Sequence, residues 1–283
     1  MKFIKIGQGV AVSIAVLLLA PVHTLAAVFS DSGADAASIT DTVEAFRAAL
    51  GEPNNVNALG PIAAGRREIN WDAGIVPVDM PGDFFNVTVP RGAEFSTDAG
   101  SQFKVSNPIN MADPGFPDNE FDSINPTYPD QFTTFSAERL FTAVDTNVLD
   151  VNFFVSGSDT AATTNGFGAI FTDVDLPDST TLEFYDVEGT LIGSNFVPAA
   201  AEGLSFYGET FDEGNLFSVR VTSGNTPIGP DDDPGNGVDV VVMDNFLYGE
   251  PQAVPEPSAV IGMMAVGWLA YQMKRRGGRA IAS

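Results

Sequence analysis

Residues 181–193 form one continuous pattern: Thr181-Leu182-Glu183-Phe184-Tyr185 alternates polar and apolar side chains, and Asp186-Val187-Glu188-Gly189 then leads into Thr190-Leu191-Ile192-Gly193. Alternation with a period of two is typical of a strand that buries one face. A short acidic segment ending in glycine between two such runs indicates a tight turn. The pattern therefore predicts two antiparallel strands joined by a turn.

The same pattern recurs through the second half of the chain. Phe217, Val219 and Val221 share one face of the run 217–222, and a dense valine run covers Val238 to Met243. Strand candidates near residues 151, 169, 182, 191, 204, 216 and 240 have the spacing of a β-sandwich. The 22 phenylalanines suit a core between facing sheets. We therefore expect a mainly β fold, a single antiparallel β-sandwich covering residues 27–250.

One amphipathic helix is predicted near the start of this domain, over Ser38 to Gly51. Thr40 or Asp41 can cap it, and Gly51 can end it. Its apolar face, which we expect to pack against a sheet, is formed by Ile39, Val43, Phe46 and Leu50. Further along, the proline-rich stretch Asn107 to Asp130 is predicted to be a long surface loop.

The N-terminus has the features of an export signal. Lys2 and Lys5 precede an apolar stretch from Val10 to Ala20, and Thr24-Leu25-Ala26 offers small residues to a signal peptidase. Eleven apolar residues suit the core of a signal peptide better than a retained membrane span. We expect residues 1–26 to be a cleaved signal peptide, with cleavage after Ala26 or, as a second choice, Ala27.

The charge of the chain is strongly acidic. It has 13 basic and 37 acidic residues, for a net charge of −24. Six of the bases lie at the two termini, so residues 27–256 carry seven bases against all 37 acids, a net charge of −30. Such a surface repels nucleic acid and anionic lipid and attracts divalent cations. Nucleic-acid binding is excluded as a function.

Two residue types are missing from the predicted exported part. The chain has no cysteine, and its single histidine, His23, lies in the predicted signal peptide. Serine–histidine and cysteine–histidine catalysis, zinc–thiolate sites and imidazole metal sites are therefore excluded. Carboxylates remain, and they can serve calcium sites or glycosidase acid/base pairs.

The C-terminal thirty residues contain three features in order. Val254-Pro255-Glu256-Pro257-Ser258 is followed by an apolar run from Ala259 to Met273 and then by Lys274-Arg275-Arg276. The prolines keep the chain extended before the apolar run. We expect a linker over 251–257, a short transmembrane helix over 258–273 and a basic cytoplasmic tail over 274–283. An ordinary tail anchor after a proline-rich linker is the alternative.

This tail resembles the sorting signal of the PEP-CTERM family of bacterial exported surface proteins, with Val254, Pro255, Glu256, Pro257 and Ser258 as the motif. The resemblance implies processing by an exosortase-type membrane transpeptidase or protease. It further implies export through the inner membrane of a Gram-negative bacterium, transient anchoring by the C-terminal helix, and delivery to the cell surface or the extracellular matrix, with exopolysaccharide as a partner.

The body of the chain also looks like ectodomains of this family. The similarity rests on three segments, Gly65 to Asp72, Pro81 to Asn86 and Gly166 to Asp175. It implies a jelly-roll-like sandwich and brings no established activity with it.

Two groups of aspartates are calcium candidates. The loop Asp231 to Asp239 concentrates oxygen ligands, Asp231, Asp233 and Asp239 among them, around two glycines; the alternative is an acidic hairpin loop that keeps the valine run soluble. Asp173 and Asp175 share one face of a strand by a period of two, and Asp244 closes the last long strand. In jelly-roll carbohydrate modules a calcium commonly bridges the first and last strands, so the resemblance makes these three residues a second candidate site. A capped turn over 175–178 is the alternative.

Trp71 is a candidate contact for carbohydrate. It is the only tryptophan of the predicted mature domain, and an exposed tryptophan beside charged groups can stack on a sugar ring. The alternative is a core position, with Arg67 and Glu68 forming a local ion pair.

From the sequence as a whole we expect a non-catalytic surface or matrix protein. The alternatives are a calcium-dependent carbohydrate-binding module and, less favoured, a carboxylate glycosidase.

Overall fold

The computed structural model describes residues 27–254, except Ala99, Ser101, 109–116, 212 and 213. The predicted signal peptide, Pro255 to Ser258 of the motif, the predicted transmembrane helix and the basic tail lie outside the described residues. Within the described part of the chain, no helix has the length and apolarity that crossing a membrane requires.

The described residues contain fifteen strands and two α-helices. The strands are β1 (Ala27–Gly33), β2 (Arg66–Ile69), β3 (Asp79–Met80), β4 (Ala93–Ser96), β5 (Phe103–Val105), β6 (Phe141–Ala143), β7 (Val148–Phe153), β8 (Ala162–Thr163), β9 (Gly166–Val174), β10 (Thr181–Tyr185), β11 (Leu191–Phe196), β12 (Ala200–Thr210), β13 (Ser218–Thr222), β14 (Val242–Gly249) and β15 (Gln252–Ala253). The helices are α1 (Ala36–Leu50) and α2 (Phe84–Val87), with 3₁₀ turns at Asn119–Phe121, Tyr128–Asp130 and Pro234–Asn236.

The strands form one large and one smaller antiparallel sheet. The large sheet has eight strands in the order β1-β12-β9-β14-β6-β5-β3, and β2 pairs with the part of β14 that β6 leaves free. The smaller sheet has five strands in the order β11-β10-β13-β7-β4, and β15 pairs separately with β8. This arrangement of antiparallel sheets with few helices fits the predicted β-sandwich.

The predicted strand pair at 181–193 is confirmed. β10 pairs with β11, with Thr181 opposite Phe196, and Asp186 closes the turn by accepting backbone N–H bonds from Glu188 and Thr190. Only the end of the valine run from Val238 to Met243 lies in a long strand, because β14 begins at Val242. The residues before it form the end of a loop that reaches the acidic cluster described below.

The main core is built from the alternate residues of both sheets. Phe171 and Phe246 contribute from the large sheet, and Phe153, Phe184 and Val219 contribute from the smaller one. All five side chains are fully buried. Burial of aromatic side chains between facing sheets is the main source of stability that a sandwich of this kind has.

The helix α1 covers the outer face of the large sheet. Its predicted apolar face is confirmed, since Ile39, Val43, Phe46 and Leu50 are buried against Ile170, Leu204, Phe206 and Leu247. The predicted caps at Thr40 and Asp41 are wrong: Asp35 caps the helix by accepting from the Ser38 backbone N–H at 3.0 Å. The helix begins at Ala36, two residues before the predicted start at Ser38, because Ala36 and Ala37 are strong helix formers that follow the Asp35 cap.

A third apolar cluster corrects the prediction for 107–130. Phe121 and Tyr128 of that stretch are fully buried, and they pack with Phe132, Leu140 and Val240. The described part of the stretch is therefore anchored to the fold by its aromatic residues. It holds the loop 229–239 in place, because the Tyr128 hydroxyl donates to the Pro230 carbonyl at 2.8 Å and accepts from the Gly229 N–H at 2.9 Å.

Candidate functional site

Asp173 lies at the end of β9, where the strand departs from regular geometry. Its φ is +65°, and β12 shifts register beside it between Ala200 and Leu204. Phe171 and Val174 both enter the main core, so the alternation is broken at the residues between them. A bulge of this kind re-aims a side chain. Asp173 is kept out of the apolar core, and its Oδ1 accepts the Glu202 N–H at 2.7 Å.

The structure brings Asp173 together with Asp175 and Asp232. One carboxylate oxygen from each of the three side chains lies within 4.8 Å of the others. Asp173 is 1% exposed and Asp232 is 8% exposed. Asp232 is fixed by the Val240 N–H, which donates to its Oδ1 at 2.7 Å. We call Asp173, Asp175 and Asp232 the acidic cluster.

Two members of the acidic cluster, Asp173 and Asp232, have a raised pKa. Burial raises the pKa of Asp173 to about 7, and the charges of Asp175, Asp239 and Glu202 add to the effect. Burial likewise raises the pKa of Asp232 to about 8, reinforced by Asp175 and Asp173. Both shifts have the same main cause, since burial disfavours the charged form of a carboxyl group, and the neighbouring carboxylates add to this effect.

Asp239 organises the turn beside the cluster. Its Oδ1 accepts the Asp175 N–H at 3.3 Å, and its Oδ2 accepts the Leu176 N–H at 3.2 Å and the Ser179 hydroxyl. Asp239 is fully buried, and burial raises its pKa. The predicted alternative of a capped turn after Asp175 is thus present, with a cap supplied from the loop 229–239.

The other two acids chosen from that loop lie outside the acidic cluster. Asp231 accepts from the Asn125 side-chain amide at 2.9 Å, and Asp233 caps the 3₁₀ turn by accepting from the Asn236 N–H. Asp232, which lies between them and was not chosen, is the loop residue that reaches Asp173. The sequence alone does not show which of the three adjacent aspartates points towards Asp173. That depends on how Tyr128 holds the loop through its contacts with Gly229 and Pro230.

Asp244 belongs to a different group, which corrects its predicted place beside Asp173. Its Oδ2 accepts backbone N–H bonds from Phe135 at 2.7 Å and Ser136 at 3.1 Å. The Ser136 Oγ lies 3.1 Å from Asp244 Oδ1, 3.0 Å from Asp72 Oδ2 and 2.8 Å from Asn245 Oδ1. Burial raises the pKa of Asp244 to about 8, and the charge of Asp72 adds to it.

Trp71 is a core residue, so its predicted contact with carbohydrate is wrong. Its side chain is 1% exposed, and its ring stacks on Phe141 at 4.0 Å between centroids. Its indole N–H donates to the Asp244 carbonyl at 2.7 Å. A side chain enclosed in this way cannot stack on a ligand, and the alternative core position is confirmed.

The predicted ion pair between Arg67 and Glu68 is also wrong. Arg67 is fully buried, and its Nε and Nη2 donate to the two carboxylate oxygens of Glu250 at 2.6 and 2.7 Å. Glu68 instead accepts from Arg47 and Arg66. The two neighbours point to opposite sides of β2, as residues i and i+1 of a strand must.

A shallow groove lies on the outer face of the five-stranded sheet. Its volume is about 500 Å³, and Tyr185, Asn152 and Glu188 are among the residues that line it. Arg220 and Asp150 also line the groove, and they form a bidentate ion pair in which both N···O distances are 2.8 Å. A half-buried tyrosine beside fixed polar groups can contact a polar ligand that has an apolar face.

The described chain ends at the first residue of the predicted sorting motif. Gln252 and Ala253 form β15, opposite Thr163 and Ala162, and the Val254 N–H donates to the Ala161 carbonyl at 3.0 Å. The folded part therefore extends past residue 250, the predicted boundary, into the segment expected to be a linker. Pro255, Glu256, Pro257 and Ser258 lie outside the described residues.

Comparison with known proteins finds no family model that matches the chain, and no curated protein or solved structure is significantly similar to it.

Proposed function

We propose that this protein is an exported surface or matrix protein of a Gram-negative bacterium, with a non-catalytic ectodomain that a PEP-CTERM-type tail delivers. The support from the sequence is the order of its segments. A signal-like N-terminus, an acidic β domain, the motif Val254 to Ser258, an apolar run and a basic cluster follow one another. A jelly-roll type of sandwich is the finer form that we propose for the ectodomain.

The observation that carries the proposal is how near the described fold comes to the motif in sequence. β15 is held by β8 up to Ala253, and the Val254 N–H is bonded to Ala161. Pro255-Glu256-Pro257 follows at once in the sequence. Proline has no backbone N–H and is disfavoured in helix interiors and central strands, so a Pro-Glu-Pro sequence suits recognition by a membrane enzyme. An exosortase-type transpeptidase or protease is the partner that we propose.

The experiment compares the wild-type protein with the variant Pro255→Ala/Glu256→Ala/Pro257→Ala in the native host. We expect the intact mass of the wild-type protein released to the surface to lack the apolar run from Ala259 onward. The triple variant should remain in the inner membrane at full length after signal removal. A matched control is Pro177→Ala/Glu188→Ala, which changes a proline and an acid on exposed turns of the domain.

Two results would contradict the sorting signal. One is a surface protein that still carries Lys274 to Arg276, and the other is release of the triple variant at the wild-type level. The first result would favour an ordinary tail anchor, and the second would show that release does not require the motif.

Carbohydrate binding is the second candidate function, and the groove on the five-stranded sheet favours it. Tyr185 offers an aromatic face, and the fixed pair of Arg220 and Asp150 offers hydrogen bonds beside it. We expect Tyr185→Ala to abolish any signal on a glycan array, whereas Phe196→Ala should leave it. Phe196 is an exposed aromatic of the same sheet that does not line the groove. Release of reducing sugar from a bound polysaccharide would indicate a glycosidase instead.

A further inference from the structure

We propose that the acidic cluster of Asp173, Asp175 and Asp232 binds one calcium ion. The proposal concerns the folded domain and is independent of how the protein is sorted. It differs from both sites expected from the sequence. Asp232 takes the place of Asp244 beside Asp173 and Asp175, and Asp231, Asp233 and Asp239 are not ligands.

The first observation is an unpartnered oxygen. The Oδ1 of Asp173 is bonded to the Glu202 N–H, but its Oδ2 is buried and has no hydrogen-bond partner. The residue is 1% exposed, so bulk water does not solvate this oxygen. A buried carboxylate oxygen without a partner is costly, and it is rare unless a water or an ion completes it. A metal cation can bind such an oxygen directly, because coordination does not require a hydrogen-bond donor.

The second observation is the sign of the surrounding charge. Within the described part of the chain, the charged side chains that act most strongly on Asp173 and Asp232 from outside this pair are acids, namely Asp175, Asp239 and Glu202. The seven bases between residues 27 and 254 have partners elsewhere: Arg47, Arg66, Arg67 and Lys104 pair with other acids, Arg220 with Asp150, and Arg91 and Arg139 bond backbone carbonyls. No side chain of the described domain therefore neutralises the cluster.

The ligand type favours calcium over other divalent ions. The three oxygens lie within 4.8 Å of one another, about twice the usual Ca–O distance of about 2.4 Å, so small side-chain movements would bring all three into contact with one ion. Magnesium requires a tighter octahedron at about 2.0–2.1 Å, and zinc prefers nitrogen and sulfur ligands. Three carboxylates give hard, anionic ligands, and backbone carbonyls or waters complete such a shell.

A bound ion would link parts of the chain that are distant in sequence. Asp173 ends β9, Asp175 begins the turn after it, and Asp232 belongs to the loop that leads into β14. Their connection would fix the end of the central strand β9 to that loop. The ion would therefore stabilise the folded state, because the unfolded chain does not assemble the site.

The test uses the full chain, purified in mild detergent and stripped with a chelator. Calorimetric titration with CaCl₂ should show one equivalent of calcium per chain at this site. When free calcium is about a hundredfold above Kd, the melting temperature should rise by roughly 5 °C or more, beyond the effect of sodium chloride at equal ionic strength. Asp173→Asn and Asp232→Asn should each lose this titration and this rise.

The control is Asp231→Asn. It removes the same charge from the same loop, but it lies outside the cluster, so we expect wild-type binding. Circular dichroism in chelator shows whether each variant is folded, and the asparagine oxygen can still accept the Glu202 or Val240 N–H. Equal calcium binding by Asp173→Asn, Asp231→Asn and the wild-type protein would overturn the proposal, as would equal stabilisation by sodium and calcium. An equal rise with magnesium would overturn the choice of calcium.

Discussion

Substitution of Asp244 by asparagine should remove a large part of the pH dependence of stability, and the buried acids of the acidic cluster should contribute the same remaining part in both proteins. Asp244 is fully buried, and it shares the Ser136 hydroxyl with Asp72 and Asn245. That hydroxyl has one proton for three acceptor oxygens, so a second proton is needed on one of the two carboxyl groups. Burial and the charge of Asp72 favour that proton on Asp244.

The magnitude follows from the pKa. A pKa of about 8 lies about four pH units above the ordinary value of 3.8, and each unit corresponds to about 1.4 kcal/mol, so the full effect is at most about 6 kcal/mol. Because the folded-state pKa of this acid is raised, the folded state binds the proton more tightly than the unfolded state. Stability is therefore lost as the pH rises from about 4 to about 8. This effect is a large part of the free energy of unfolding, which is typically about 5–15 kcal/mol for a domain.

Asparagine mimics the protonated acid. Its oxygen can accept the Phe135 and Ser136 N–H groups, and its amide can donate to the Ser136 Oγ, which is then free to donate to Asp72 or Asn245. The stability difference between Asp244→Asn and the wild-type protein should be near zero at pH 4.5 and should grow in favour of the variant towards pH 8.

The assay is urea unfolding of the full chain in chelator, followed by circular dichroism at several pH values. Asp159→Asn removes an exposed acid and should reproduce the wild-type pH profile. The nearest base, Arg139, lies beside Asp72 and remains charged throughout, so it adds no slope in this range. Parallel pH profiles for Asp244→Asn and the wild-type protein would refute the shared-proton arrangement.

Three further substitutions test parts of the fold by denaturant unfolding. Asp35→Ala should lower the free energy of unfolding by about 1 kcal/mol, because it removes the cap of α1, whereas Asp35→Asn should leave it nearly unchanged. Equal losses for the two variants would contradict the capping role of Asp35. Gly208→Ala should cost about 1–3 kcal/mol, because an added Cβ would lie 2.9 Å from the Phe46 ring, and a neutral result would mean that α1 moves freely on the sheet. Glu250→Gln should cost about 3–5 kcal/mol by leaving the buried charge of Arg67 without its partner, and a change below 1 kcal/mol would contradict that pairing.

Features with a short period were predictable from the sequence. The strand pair at 181–193 and the buried face of α1 follow from periods of 2 and 3.6 residues, because the same alternation that exposes one face to water buries the other. The cap of α1 was missed for a related reason. Asp35 precedes two alanines, which continue a helix but leave no apolar mark of where it begins.

Contacts between distant residues were not predictable. Arg67 pairs with Glu250, 183 positions away, although Glu68 is its neighbour. Asp173 and Asp175 lie close together as predicted, but their partner from the loop is Asp232, because the irregular backbone at Asp173 and the anchoring of the loop by Tyr128 bring these residues together. Trp71 has charged neighbours in sequence, and only the packing of Phe141 against it reveals a core position.

The two ends of the folded domain differ in how they would carry a mechanical load. Among the strands that the structure describes, β1 is an edge strand bonded to β12 alone. The C-terminal end leads through β15 into β14, which has partners on both sides in the large sheet. A tether at the C-terminus would pull first on the short β15–β8 pair and then on a central strand that can leave only if both of its ladders break. We expect tension from that end to be resisted far better than tension from the N-terminus, which can peel β1 away one hydrogen bond at a time.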